Sequence, residues 1–293
     1  MPTTVWRKLA SAKWADALEE RLRFLGPTRL VLTRLPGGRS IRIDAYGVTA
    51  AEGRALVKGF GGTVVTLAND AWMPSPADAL RPVKIRGRLL IAPDPAALPA
   101  PRAGRAPTPV LCIPAGMAFG TGEHATTASC LRFLADVSRG LREREWSLLD
   151  VGTGSGILAL ASIRLGAKTA EGFDFDPHAV RTARANARLN RIRSARFHRA
   201  DVREWEPEGA HAIVAANLFS ELLIAVLPRL VRAIEPGGHA ILSGILRTQE
   251  AGVVRALKAV GLRLLQVTHR GKWVALLARR PAQRGPGTGG AAT

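Results

Sequence analysis

Asp150 followed by Gly152, Gly154 and Gly156 is the densest chemistry-bearing spacing in the chain. In LLDVGTGSG (148–156) an apolar run ends in a carboxylate and three glycines, and the helical run ILALASIRLGA follows at once. Strand, glycine turn and helix start, in that order, open a nucleotide-binding βαβ unit. Glycine is needed where φ turns positive and where a ligand must lie against bare backbone. A helix start presents unpaired N–H groups to a ligand's polar oxygens.

The G-x-G-x-G spacing is tighter than the dinucleotide G-x-G-x-x-G. With an acid just before it, it fits an S-adenosylmethionine (SAM) site better than a pyrophosphate cradle. The rest of the unit sharpens this. Residues 170–176, AEGFDFD, read as a second strand, and Asp174 at its end lies 22 positions after Gly152, placed to accept hydrogen bonds from both ribose hydroxyls. Phe175 offers a flat ring for the adenine face. ARFHRADV (195–202) reads as a third strand ending in Asp201, a partner for the adenine amino group, and AHAIVAAN (210–217) as a fourth ending in Asn217. Four polar strand ends would line the carboxyl edge of a parallel sheet, where ligands bind. The alternative at each position is a carboxylate or amide that simply caps the next helix or turn.

A second segment, IPAGMAFGTGEHATT (113–127), is a Gly/Thr-rich loop opening onto a helix at 128–137. Thr126 and Thr127 near that helix start either cap N–H groups or reach a ligand carboxylate. His124 reads as a general base or, more commonly for a loop histidine, a positioning group.

These sites need a scaffold, and the composition supplies one. With 293 residues, 47% of them hydrophobic, the chain can bury one sizeable core and a smaller second one. It has no run of 18 apolar residues, and its N-terminus lacks the apolar centre of a secretory signal. Two cysteines, Cys112 and Cys130, form no disulfide or metal framework and fit a reducing cytoplasm; no metal is expected.

The formal net charge is +19, divided almost evenly as +9 in 1–107 (17 basic, 8 acidic) and +10 in 108–293 (25 basic, 15 acidic). Arg181, Arg184, Arg188 and Arg191 recur at helical spacing, with Arg193, Arg196 and Arg199 beyond them. This stripe is either a solvated helix face or a contact for RNA or a ribosomal particle.

The alternation of elements divides the chain. Residues 1–92 read as an α+β unit: helix 12–25, strands 30–35 and 40–46 joined at Pro36-Gly37-Gly38, helix 49–59, strand 63–67 and a strand pair at 83–92. Residues 93–109 carry six prolines and read as a stiff linker. From 110 to 280 strands and helices alternate, closing with a hairpin, and 281–293 read as a disordered tail.

Taken together, AFGTGEHATT, LLDVGTGSGILALASIRLGA, GFDFDP, VAANL and EPGGHAILSGIL resemble the bacterial methyltransferase family of large-subunit ribosomal protein eleven, PrmA type, over roughly 80–280. The resemblance implies a class I (Rossmann-like) seven-stranded SAM methyltransferase domain behind a small ferredoxin-like substrate-recognition domain. It carries cofactor contacts onto Thr127, Gly152, Asp174 and Asn217, and implies a monomer that methylates lysine or N-terminal amines of a ribosomal protein. The chain departs from the family pattern at Ala125, where proline is usual, at Thr153, where cysteine or alanine is common, and in a shorter N-terminal region.

The implied chemistry is in-line attack of a neutral amine on an activated methyl, with Asn217 at the reaction centre holding an N–H. Burial near a cation lowers the acceptor's pKa and favours the neutral form. The motif continues NLFSE rather than the N-P-P-[YF] of adenine- and glutamine-modifying enzymes. Phe219 there walls the amine channel or fills core, the latter preferred. Two rival readings stand beside the protein methyltransferase: an RNA methyltransferase of the same fold, and a SAM-binding ribosome- or RNA-associated protein without turnover.

Overall fold

The computed structural model describes residues 3–22, 25, 29–35, 37–67, 82–94, 108–114 and 124–282. The chain forms two units, Met1–Leu80 and Arg81–Thr293.

In the first unit the order is β1 (Thr3–Ser11), α1 (Ala15–Arg21), β2 (Leu30–Arg34), β3 (Ser40–Tyr46), α2 (Ala50–Phe60) and β4 (Thr63–Leu67). The four strands form an antiparallel sheet in the order β2-β3-β1-β4, which is the ferredoxin-like arrangement. Trp6, Leu22, Ile41, Ile43 and Leu56 fill its core. The start of α2 is fixed by a reciprocal cap: Glu52 N donates to Thr49 Oγ1, and Thr49 N to Glu52 Oε2.

Two elements differ from the sequence expectation. The inner strand β1 has no counterpart in it, because TTVWRKLAS has adjacent buried residues, Val5 and Trp6, and no clean alternation. The helix expected over 12–25 is instead a 3₁₀ turn at Ala12–Trp14 followed by α1. In the hairpin, Gly37 and Gly38 take positive φ (88° and 70°), while Pro36 lies outside the described residues.

The second unit runs β5 (Val83–Ile85), β6 (Leu89–Ala92), β7 (Val110–Cys112), α3 (Ala125–Val137), β8 (Ser147–Val151), α4 (Ile157–Arg164), β9 (Thr169–Asp174), α5 (Pro177–Leu189), β10 (Ala195–Arg199), β11 (His211–Asn217), α6 (Ser220–Arg232), β12 (Ile234–Leu246), α7 (Glu250–Ala259), β13 (Arg263–Arg270) and β14 (Trp273–Arg279). Seven strands form one sheet in the order β10-β9-β8-β11-β12-β14-β13. All its pairings are parallel except those of β14, which runs antiparallel to both neighbours. Strand order reverses between β8 and β11, which places a crevice at their carboxyl ends. Apolar layers cover both faces: Leu148, Leu160 and Phe133 lie in one, Leu149, Leu223 and Leu242 in the other.

The strand pair at 83–92 belongs to this unit, not to the first as its sequence position suggested. β6 pairs in parallel with β7, and Ile85, Leu89 and Ile91 share a core with Leu131, Phe133 and Leu134. Asn190, at the end of α5, clamps β7 from the other side: Cys112 N donates to its Oδ1, and its Nδ2 donates to Cys112 O, both at 2.7 Å. Of the expected linker, 95–107 lie outside the described residues, as do 283–293 of the expected tail. No helix among the described residues is long and apolar enough to cross a membrane.

Candidate active site

The glycine turn between β8 and α4 is held at three points. Gly152, Gly154 and Gly156 all take positive φ (71°, 54° and 81°), where side chains are disfavoured. The N–H groups of Gly152 and Thr153 both donate to Phe173 O at 3.0 Å, seating the turn on the end of β9. Asp150 ties the turn to the helix behind it, its Oδ2 accepting from Thr153 Oγ1 (2.7 Å) and Ala159 N (3.2 Å). The Asp150 side chain is buried, and burial pushes its carboxyl up to about 7, against those two hydrogen bonds.

Asp174 stands across the turn. One of its oxygens accepts from Gly154 N and the other from Asp176 N, each at 3.0 Å. Both oxygens are thereby oriented, and each keeps a lone pair for a ligand. Phe175 beside it is 70% exposed, unusual for an aromatic ring with no protein surface to cover. The end of β10 lies alongside, since Ala200 N donates to Asp174 O. Asp201 is half-buried there, with Oδ1 accepting from Arg203 N at 2.9 Å. It therefore caps the following turn with one oxygen and leaves the other for a ligand.

The end of β11 is joined to the start of α3. Asn217 Nδ2 donates to Thr126 Oγ1 at 3.2 Å, and Thr126 Oγ1 is 2.7 Å from His124 Nδ1. That His124 nitrogen also accepts from Thr126 N as the N-cap of α3, so the hydroxyl donates to it. Thr126 Oγ1 is then free to accept from Asn217, and the Asn217 carbonyl oxygen is left for a further donor. Trp273 packs edge-on against His124, with ring centroids 5.4 Å apart. Thr127 Oγ1 and Ser220 Oγ, in the first turns of α3 and α6, are buried without a hydrogen-bond partner among the described residues. A buried hydroxyl left unpaired costs about 1–3 kcal/mol, a cost that a ligand can remove.

Several helix starts are capped by side chains: Asp176 accepts from His178 N at α5, and Thr49 caps α2, whereas α7 has no such cap. The N-cap residues of α4 and α6, Gly156 and Phe219, likewise supply no side-chain cap. Apart from Ala159 N, which Asp150 holds, their first-turn N–H groups are available to an anionic group.

The structure thus gathers Gly152, Gly154, Gly156, Asp174, Phe175, Asp201, Asn217 and Thr127 around the carboxyl edge of one sheet. Residues 115–123 of the second loop lie outside the described residues. The preference for Phe219 as core filler is corrected: it is 61% exposed, because its extended backbone at the N-cap of α6 turns the ring outward. Sequence reasoning missed Gly244. It takes φ 83°, and a Cβ there would stand 2.3 Å from Leu218 O, so only glycine lets the chain after Asn217 lie on β12. The isolated glycine within the strand-like run AILSGIL was the signal for it.

Comparison with known proteins follows the same outline. The family model for ribosomal protein L11 methyltransferase (PrmA) matches residues 45–281. A ribosomal protein L11 methyltransferase of Caulobacter sp. (strain K31) is 34% identical over 276 residues, covering 91% of this chain and 93% of the relative. One from Thermus thermophilus is 43% identical over 166 residues, covering 57% of this chain and 63% of the relative. The crystal structure of a ribosomal protein L11 methylase from Lactobacillus delbrueckii subsp. bulgaricus superposes with a TM-score of 0.59 at 26% identity, covering 69% of this chain and all of that one.

Proposed function

The chain belongs to the ribosomal protein L11 methyltransferase (PrmA) family, and from that premise we propose that it transfers methyl groups from SAM to lysine or N-terminal amines of that large-subunit ribosomal protein. The observation that carries the reading is the Asn217–Thr126–His124 chain at the mouth of a glycine turn whose opposite wall is Asp174.

The residues present fit SAM. The oriented Asp174 oxygens suit a ribose diol, the exposed Phe175 suits an adenine face, and Asp201 keeps an acceptor for an amino group. A Cβ at Gly152 would stand 2.5 Å from Leu218 Cδ2, so the bare glycine keeps this wall open. The start of α4 ahead of Ala159, where Gly156 supplies no side-chain cap, and the unpaired Thr127 hydroxyl suit an amino-acid carboxylate. When bound, SAM supplies a methyl group activated by a positive sulfur.

The protein's part is then orientation and exclusion of water. Asn217, its Nδ2 held by Thr126, turns Oδ1 to accept an N–H of the incoming amine and so aims the nitrogen lone pair. Burial beside a cationic cofactor disfavours the protonated acceptor, which delivers the amine neutral. Phe219, exposed beside Asn217, is placed to wall the amine's approach. His124 acts through Thr126 as a positioning group and takes no proton from the acceptor.

In this reading the ferredoxin-like unit selects the acceptor, the enzyme works as a monomer, and it works in the cytoplasm, where the buried free thiols of Cys112 and Cys130 stay reduced. The test is transfer of labelled methyl from SAM into purified large-subunit components, with protein and RNA counted separately. Label on one small ribosomal protein, at amines, is expected. Label on RNA alone would overturn the acceptor assignment.

A further inference from the structure

Residues 177–200 contain seven arginines and no aspartate or glutamate. They are Arg181, Arg184 and Arg188 of α5, Arg191 and Arg193 of the following turn, and Arg196 and Arg199 of β10, and all seven are exposed. β10 is the outermost strand of its sheet. Two of the seven also brace the fold: Arg184 donates twice to Phe197 O (3.0 and 2.6 Å), and Arg199 donates to Phe175 O. Arg184, Arg188, Arg193 and Arg196 line a cleft of about 590 Å³ with Ile192 and Phe197.

Several arginines elsewhere among the described residues are ion-paired. Arg229 and Arg232 share Glu206, Arg7 and Arg42 share Asp44, Arg86 takes Asp136 and Arg144 takes Glu235. Among the described residues none of the seven makes an ion pair; Glu171, opposite Arg196 on the neighbouring strand, sits by His198. A few charges suffice to protect an edge strand. Unpaired like charges at i+3 and i+4 repel and cost stability, and a polyanion would relieve that cost. The guanidinium fork donates to phosphate oxygens two at a time.

The surroundings select among polyanions. Phe197, the phenyl ring of this cleft, is buried and cannot stack on bases, so recognition there rests mainly on the phosphate chain. The apolar side of α5, with Val180, Ala183 and Ala187, is buried in the core, leaving little to insert into a bilayer. We infer that α5 and the β10 edge form a docking surface for the phosphate backbone of RNA, gripped without reading sequence. The choice of RNA as the phosphate polymer rests on the proposed ribosomal acceptor; the polyanion site itself does not.

The test is fluorescence anisotropy of a short labelled RNA hairpin with the full chain over a salt series, with no methyl transfer involved. A negative result here therefore leaves the methyltransferase reading standing, and a failed methyl transfer leaves this one standing. The triple variant R188E/R193E/R196E spares the bracing Arg184 and Arg199. It should weaken binding at least about tenfold and flatten the dependence of log K on log salt by roughly two to three units. The matched reversal R255E/K258E/R263E, on exposed residues of α7 and β13, should change affinity less than about threefold. Equal losses in the two variants, or none in the first, would overturn the proposal, as would α5-dependent binding to anionic vesicles in place of RNA. Should the triple variant not fold, hydrogen exchange on the unaltered protein decides: RNA should protect 181–199, and protection only elsewhere would overturn the assignment.

Discussion

Asn217 and Thr126, 91 residues apart in sequence, meet at 3.2 Å through Nδ2 and Oγ1, and this contact fixes which end of the Asn217 amide faces the crevice. If Oδ1 aims the acceptor amine, Asn217→Ala should lower kcat by at least about tenfold, or ~1.4 kcal/mol. A smaller loss in single-turnover methyl transfer would remove Asn217 from the reaction centre.

Thr126 acts one step back, so its variants should separate positioning from contact. Thr126→Val keeps the shape but loses the acceptor for Asn217 and the donor for His124. A loss of about 1 kcal/mol is expected, several-fold in kcat, with KM for the acceptor little changed. Thr126→Ser, which keeps the hydroxyl, should recover most of it. Equal defects in both variants would point to packing of this buried side chain instead.

Asp174 and Phe175 should divide differently between binding and stability. Asp174→Ala removes an ionised acceptor and frees Gly154 N and Asp176 N, so SAM affinity measured by calorimetry should fall roughly 100-fold, at about 1.5–3 kcal/mol per charged hydrogen bond. Phe175→Ala should cost about 0.5–1.5 kcal/mol of binding and leave the melting temperature unchanged, since its ring is mostly exposed. A large drop in melting temperature for Phe175→Ala would show that the ring serves the fold.

Much of this site was legible in the chain because its signals are local. A glycine turn after an apolar run, and polar residues at the ends of successive strands, are written within a few residues of one another. What was not legible depends on pairing at a distance. β1 is one of the two inner strands of its sheet, yet its place there comes from β3 and β4, which lie far along the chain. The 83–92 pair reads correctly as strands, but it joins the second unit through β7, beyond the proline-rich stretch. Asp201 shows the limit of the strand-end argument, since one of its oxygens caps a turn, as the plainer reading had it.

Gly244 and Gly152 both bear on Leu218, but differently, and this ranks their substitutions. At Gly152 an added Cβ meets the tip of the Leu218 side chain, which can rotate away, so Gly152→Ala should cost about 1–2 kcal/mol for the left-handed backbone alone. At Gly244 the Cβ meets Leu218 backbone, with O at 2.3 Å and C at 2.8 Å, which cannot move without pulling Asn217. Gly244→Ala should therefore cost about 2–4 kcal/mol and abolish methyl transfer. Urea unfolding gives both values, and a reversed order would show that the Leu218 backbone yields.

Asp150 predicts a pH signature that can be isolated from the rest of the protein. Its folded carboxyl titrates at about 7, raised by burial from an ordinary value of 3.8. Below about pH 4 both folded and unfolded states hold the proton and no penalty exists. Between about 4 and 7 the unfolded state releases it first, so this group's contribution to stability is lost as pH rises, up to a few kcal/mol, and above about 7 the loss is complete. His211 and His239, whose pKa values burial lowers, work in the opposite direction near neutrality, so the overall profile mixes the two. The difference between Asp150→Asn and the unaltered protein removes the histidines from the comparison. The amide oxygen still accepts from Thr153 and Ala159 but does not ionise. The variant's relative stability should be level below about pH 4, climb between about 4 and 7, and level again above that. A difference independent of pH would mean that Asp150 stays ionised in the folded protein, and that its hydrogen bonds outweigh the burial of its charge.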